Sequence, residues 1–226
     1  PPRSTPLYSS AASDVYKRQH PDSEVRDAAI SRVDLLVPVV KAWATDSGVN
    51  IASIGVQIHG GAGFIEETGA AQHYRDARIT PIYEGTNGIQ ALDLVGRKIL
   101  RDRGDELKKF LDEVSGSKIT DTVIAREMSL ALDAVTEAVN WMLAYDGDDP
   151  RAVISGATPL LNALGIITGG WLMALASNIA SAREKSEDFY KIKINTARFY
   201  ARHILPQATA SASSAMAGAD EIMALP

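Results

Sequence analysis

The chain of 226 residues contains no cysteine, which excludes disulfides and thiolate metal sites. A reducing compartment is compatible with that, and a cytoplasmic location is the expectation. Four histidines, His20, His59, His73 and His203, stand apart with no HExxH or comparable ligand spacing, so no metal is expected. Charge of one sign is nowhere concentrated: 23 basic against 28 acidic residues give a net charge of −5. An acidic chain without a basic block implies no nucleic-acid partner. The segment PPRSTPLYSSAASDVYKRQ at residues 1–19 lacks an apolar stretch and is no signal peptide. Its prolines and serines leave no helical period, and SAASDVYKRQ resembles translated adapter or junction sequence. Residues 1–19 are expected to be foreign or disordered.

What the chain does have is 46% hydrophobic residues, enough to bury the core of one large or two small domains. Their spacing is helical, and an all-α bundle is the expectation. From residue 20, Val25, Ala28, Ala29, Arg32, Leu35, Leu36, Val39, Val40 and Trp43 recur at three- and four-residue steps. Pro38 should kink this helix. Further helices are expected over about 50–59, 68–78 and 87–103. The last would bury Ile89, Leu92, Val95, Ile99 and Leu100, and load its C-terminal end with Arg97, Lys98, Arg101 and Arg103, which suits the helix dipole.

After Gly104 a charged bridge, DELKKFLDEVSGSK, leads to a second helical region. There Ile124, Met128, Ala131, Leu132, Val135, Val139, Met142 and Leu143 keep helical spacing until the stretch DGDDP breaks it. Residues 152–182 carry no charge and are long enough to raise the question of a membrane span. Pro159, Asn162, Thr168, Gly169, Gly170, Ser177 and Asn178 favour a central bundle helix, and no membrane span is expected. A last helix should begin near Ser186, with Phe189, Ile192, Thr196, Phe199 and His203 as its inward seam. Lys191, Arg198 and Arg202, with Tyr190 and Tyr200, mimic a basic-aromatic nucleic-acid face but read better as a solvated or subunit-facing surface.

Candidate chemistry gathers at residues 57–90. Pro81 forbids a regular helix before it and Thr86 can cap one that begins at Asn87, so Glu84 sits at a backbone break. Gly85 lets a flat ligand approach the main chain there. Taken alone, Glu84 is either an exposed loop glutamate or, drawn partly out of water by Ile82 and Tyr83, a base. The turn QIHGGAGF at residues 57–64 is either a helix C-cap or a place where adjacent glycines admit phosphate oxygens, with Gln57 supplying a donor and an acceptor. A dinucleotide-fold fingerprint is excluded, because the third glycine is missing after Gly61 and Gly63 and no strand precedes them.

QIHGGAGF at residues 57–64 and RDARITPIYEGT at residues 75–86, at this separation, resemble the C-terminal helical domain of acyl-CoA dehydrogenases. The resemblance implies FAD-dependent α,β-dehydrogenation of an acyl-CoA thioester to the trans-2-enoyl-CoA. It makes Glu84 the catalytic base that removes the α-proton while the β-hydrogen leaves as hydride to FAD. The Glu84 backbone N–H helps to hold the thioester carbonyl, and Gly85 is a substrate contact. Gln57, Ile58, His59, Gly60 and Gly61 match a turn that reaches FAD bound mainly by a neighbouring subunit, which implies a homodimer or homotetramer. Thr86, Asn87 and Gly88 match a second FAD contact, with Gly88 standing where many relatives carry glutamine. The implied electron acceptor is an electron-transfer flavoprotein.

On this resemblance residues 20–103 correspond to the C-terminal part of the helical domain. The family's N-terminal helical domain and middle β-domain have no counterpart, so the chain reads as a fragment, inactive by itself. Residues 104–226 resemble the extra C-terminal helical domain of one subgroup, which includes methylthiopropanoyl-CoA dehydrogenases, through FYKIKINTARFYARHILP and GADEIMAL. Two alternatives stand beside this reading: an acyl-CoA oxidase-type flavoprotein, and a non-enzymatic helical interaction or nucleic-acid-binding relative.

Overall fold

A computed structural model describes residues 17–183 and 188–224, so most of the opening segment lies outside the described residues. Every regular element in the described residues is helical. Asp22 accepts the Glu24 N–H at 2.9 Å and caps α1 (Ser23–His59), which runs 37 residues with Pro38 buried inside it. The separate helix expected over 50–59 is simply the end of α1. An internal proline costs about 3 kcal/mol. Leu35, Leu36 and Val39 are all buried around it, and each contributes roughly 1.5–3 kcal/mol, so packing outweighs the break.

Short turns at Gly61–Phe64 and Glu66–Thr68 lead to α2 (Ala70–Ala77), and α3 (Asn87–Asp93) follows the Glu84 loop. The expected α-helix to residue 103 does not continue: Leu94–Ile99 is a π segment. Leu100 N–H donates to Val95 C=O at 2.9 Å and Gly104 N–H to Ile99 C=O at 2.8 Å, both five-residue steps. Wider turns put an α-period extrapolation out of phase. Ala91, Leu94, Val95 and Ile99 are buried, while Ile89, Leu92 and Leu100 of the expected face are exposed. Two of the basic side chains here pair with carboxylates, Arg97 with Asp93 at 3.2 Å and Lys98 with Asp34 on α1.

Beyond the Gly104 turn come α4 (Asp105–Gly116), α5 (Thr122–Ala144), α6 (Ala157–Ser181), α7 (Asp188–His203) and α8 (Pro206–Ala215). The expected α5 seam is buried from Ile124 to Met142, with Leu143 partly covered. The charge-free helix α6 is long and apolar enough to cross a membrane, yet most of it is buried against α1, α5, α7 and α8. One hydrophobic core runs from Leu35 of α1 to Ala215 of α8, across the division placed near residue 104.

The inward face of α7 differs from the expectation. Ala197 and Ala201 are buried, whereas Phe189, Ile192 and Phe199 are 53%, 61% and 58% exposed. Close approach to α6 is the reason: Tyr200 lies against Gly169 and donates from its hydroxyl to Ile166 C=O at 3.0 Å. Small side chains suit such a contact, and alanines occupy it. Burial pushes the Tyr200 phenol above its ordinary value. Arg198 turns to Asp121 at 2.6 Å, so Tyr200 and Arg198 do not form an open basic-aromatic face. The helix start expected near Ser186 lies outside the described residues.

Trp43 of α1 fills a notch in α6. A Cβ built at Gly165 would lie 2.3 Å from Trp43 Cγ and 2.7 Å from its Cβ, atoms too near the backbone to swing away. Alanine gains about 1 kcal/mol of helix propensity over glycine, but overpacking costs about 1–3 kcal/mol. With atoms this close to the backbone the overpacking cost falls at its upper end, about 2 kcal/mol net, and Gly165→Ala should therefore lower the midpoint of thermal unfolding by roughly 4–8 °C. At Gly48, where a Cβ meets nothing within 4 Å, the same change should leave it unchanged or raise it.

Asp121 joins α5 to α7. Its carboxylate accepts from Val123 N–H at 3.0 Å, Ile124 N–H at 3.2 Å and Arg198 Nε at 2.6 Å. Burial pushes the carboxyl up, but these hydrogen bonds and the Arg198 charge together hold it below the usual carboxylate range. A depressed folded-state value means the stabilisation is full above the unfolded value of about 3.9 and is lost as pH falls through the lower folded one. Asp121→Ala should cost about 1–2 kcal/mol at neutral pH, measured by urea unfolding, with the gap between the two proteins closing in acid.

Candidate active site

The loop before α3 is built on two successive left-handed residues, Glu84 at φ 55° and Gly85 at φ 86°. Glycine takes that conformation freely. A glutamate does so at a cost of about 1–2 kcal/mol. The loop is closed at its base, where Pro81 is buried and its carbonyl accepts the Asn87 N–H at 3.0 Å. Thr86 caps α3 as expected, its hydroxyl oxygen accepting the Ile89 N–H at 3.4 Å.

This geometry projects Glu84 outward. Its carboxylate and its backbone N–H make no hydrogen bond or ion pair among the described residues. Ile82 and Tyr83 are each 50% exposed beside it. The two backbone carbonyls of the strained pair are held instead. Gln90 Nε2 donates to Glu84 C=O at 3.2 Å, and Lys41 Nζ donates to Gly85 C=O at 2.7 Å.

Asn87 faces α1 rather than solvent. Its Oδ1 accepts from Lys41 Nζ at 2.8 Å, and the two hydrogens of its Nδ2 are shared among Ala42 C=O at 3.1 Å, Thr45 Oγ1 at 3.0 Å and Asp46 Oδ1 at 2.8 Å. Thr86 and Gly88 stand open at the same helix start, and a Cβ at Gly88 would meet nothing within 4 Å. Sequence reasoning passed over Lys41 and Gln90. The signal for Lys41 was a lone cation inside the apolar run VPVVKAWA, half-buried in the structure.

The second candidate element lies at the other end of α1. Gly60, at φ 59°, is the C-cap and donates its N–H to Gln57 C=O at 3.0 Å, while His59 Nδ1 pairs with Gly55 C=O at 2.8 Å. Gln57, Ile58, His59, Gly60 and Gly61 are all exposed, and a Cβ at Gly60 or Gly61 would meet nothing within 4 Å. A buried Gly63, with Val56 C=O 2.3 Å from the Cβ position, fastens the turn behind them. At about 1.5 Å per residue, Lys41 and Gln57 are roughly 24 Å apart along α1. One chain does not bring the glycine turn to the Glu84 loop.

Comparison with known proteins agrees with this architecture. A family model described as "Acyl-CoA dehydrogenase, C-terminal domain" matches residues 12–100, and one described as "Acetyl-CoA dehydrogenase C-terminal like" matches residues 104–226. The chain is 42% identical over 205 residues to the 3-methylmercaptopropionyl-CoA dehydrogenase of Ruegeria pomeroyi, covering 86% of this chain and 35% of that protein. It is 34% identical over 182 residues to a butyryl-CoA dehydrogenase of Syntrophomonas wolfei, covering 75% of this chain and 30% of that one. It thus spans about a third of the length of these relatives. The crystal structure of an acyl-CoA dehydrogenase complexed with FAD from Bacillus anthracis superimposes with a TM-score of 0.67 at 19% identity, over 89% of this chain and 37% of that one, a likeness of fold. With both halves of the chain matched by models of one family's C-terminal region, and with the YEGT loop and glycine turn in place, this chain belongs to the acyl-CoA dehydrogenase family.

Proposed function

We propose that the chain forms the C-terminal part of an FAD-dependent acyl-CoA dehydrogenase that converts an acyl-CoA thioester to the trans-2-enoyl-CoA. The observation that carries this reading is Glu84: a carboxylate and a backbone N–H, both without partners among the described residues, presented side by side on a held left-handed loop. That pairing suits enolate formation. The carboxylate takes the α-proton while the N–H donates to the thioester oxygen as negative charge develops there. Gly85, lacking a side chain, lets the acyl chain lie against the main chain.

The residues present also fit FAD. Gly60 and Gly61 are exposed with open space where a Cβ would stand, so pyrophosphate oxygens can approach their backbone. Gln57 supplies an amide donor at the same turn, and the Thr86 hydroxyl and the Gly88 backbone offer contacts at the start of α3. Bound FAD would accept the β-hydrogen as hydride. The roughly 24 Å between the two elements suits a homodimer or homotetramer in which each chain contributes the turn to its neighbour's site. An electron-transfer flavoprotein completes the scheme as acceptor.

Glu84→Gln in the full-length protein should abolish flavin reduction by acyl-CoA, with a loss of about three decades in rate, while FAD and enoyl-CoA binding persist. Stopped-flow absorbance of the flavin measures this, and near-normal reduction would remove Glu84 from the role of base.

A second test concerns the shared site. Gly61→Val should lose FAD in the homo-oligomer without unfolding the protomer, because the added side chain restricts the backbone where phosphate approaches. Mixed with Glu84→Gln, it should regain part of the activity, since one site of the hybrid receives both intact elements. Hybrids verified by native mass spectrometry that recover nothing would assign the glycine turn to its own protomer or to structure alone.

A further inference from the structure

We propose that Lys41 and Gln90 are positioning residues that hold the Glu84 loop in its reactive conformation, an inference that rests on Glu84 being the base. Neither touches the Glu84 carboxylate. Each holds one carbonyl of the left-handed pair: Gln90 Nε2 binds Glu84 C=O at 3.2 Å, and Lys41 Nζ binds Gly85 C=O at 2.7 Å. A non-glycine residue at φ 55° persists only where its surroundings over-determine it. These two donors are the side chains that do so, one from α3 below the loop and one from the middle of α1.

Lys41 does more than cap a carbonyl. Its ammonium also binds Asn87 Oδ1 at 2.8 Å, and Asn87 is fixed to α1 through Ala42 C=O at 3.1 Å, Thr45 Oγ1 at 3.0 Å and Asp46 Oδ1 at 2.8 Å. Thr45 in turn donates to Lys41 C=O at 2.7 Å. The loop is therefore referenced to one turn of a long, core-packed helix. A charged donor makes a stronger hydrogen bond than a neutral amide, and Lys41 sits at the glycine, where the chain has least resistance to rotation. Removing the ammonium frees Gly85 to leave the left-handed region and carries the adjacent Glu84 with it. A displacement of about 1 Å in a reacting group costs on the order of a hundredfold in rate.

The experiment uses the full-length protein with FAD bound. Lys41→Met keeps the aliphatic stem and deletes the charge; Gln90→Met deletes the second donor. Flavin reduction by acyl-CoA should slow about 10- to 100-fold in Lys41→Met and about tenfold in Gln90→Met, with FAD content and enoyl-CoA affinity within threefold of the unaltered protein. In a Glu84→Gln background the same changes should move the residual rate less than threefold, because no base remains to be positioned. A structural role would instead carry its full factor into that background, or lower FAD content and thermal stability in step with rate. Either of those results, or a loss under threefold in both single variants, overturns the proposal. If Lys41→Met does not fold, Gln90→Met decides by the same criteria. Should Glu84→Gln itself reduce normally, the failure lies with the base assignment and not with the two donors.

Discussion

Close packing between α1 and α6 at Trp43 and Gly165 is the contact on which the rest depends. The indole occupies space that any side chain at position 165 would claim, so the two helices meet at a distance set by glycine. Lys41, Ala42 and Thr45 lie on the same stretch of α1 and hold Asn87 and Gly85. The C-terminal helices thus act on the Glu84 loop through the helix that they fix. A displacement of α1 at Trp43 is passed to the loop within one helical turn, because interiors packed at crystalline density transmit strain instead of absorbing it.

Charge completes what packing begins. Arg32 of α1 bridges Glu113 at 2.8 Å and Glu106 at 3.5 Å on α4, with its guanidinium 5.0 Å from the centre of the Phe110 ring. Lys98 on the π segment reaches Asp34 of α1. Exposed ion pairs contribute little, but the Lys98 side chain and the Arg32 and Glu106 side chains are largely covered, at 14% and 16% and 14% exposure. They set the rotation of α1 about its axis, and that rotation decides which face Lys41 presents to the loop.

The parts of this arrangement that depend on neighbours in sequence were legible. Pro81 and Thr86 mark the loop and the cap whatever surrounds them, and the α5 seam follows from a long regular period. The parts that depend on tertiary contact were not. Pro38 marks a kink point, and that the helix continues beyond it follows from tertiary packing, because Leu35, Leu36 and Val39 around it are buried. The π segment is invisible to an α-period, so Leu100 beyond it falls off the expected face, while before it the buried face of α3 is carried by Ala91 and not by the bulkier Ile89 and Leu92. On α7 the largest apolar residues suggested the seam, while a close helix contact selected Ala197 and Ala201 instead. Bulk marks an inward face only where helices stand far enough apart to admit it. At the candidate site the same holds for the side-chain amide of Asn87, whose hydrogen bonds to α1 no period in the sequence announces.

The length of α1 constrains how the two candidate elements can work together. A continuous helix of 37 residues does not fold back on itself, and the hydrogen bonds lost in bending it sharply would leave buried carbonyls without partners. The glycine turn and the Glu84 loop are therefore fixed at their separation by the stiffest element in the chain. A cofactor served by both must either span that separation or, in the oligomer proposed above, bridge an interface. Loss of association would then empty the site while leaving each fold intact. In that arrangement the continuity of α1 through Pro38 and Gly48 becomes a functional requirement, because a break at either position would change the span that neighbouring subunits have to match.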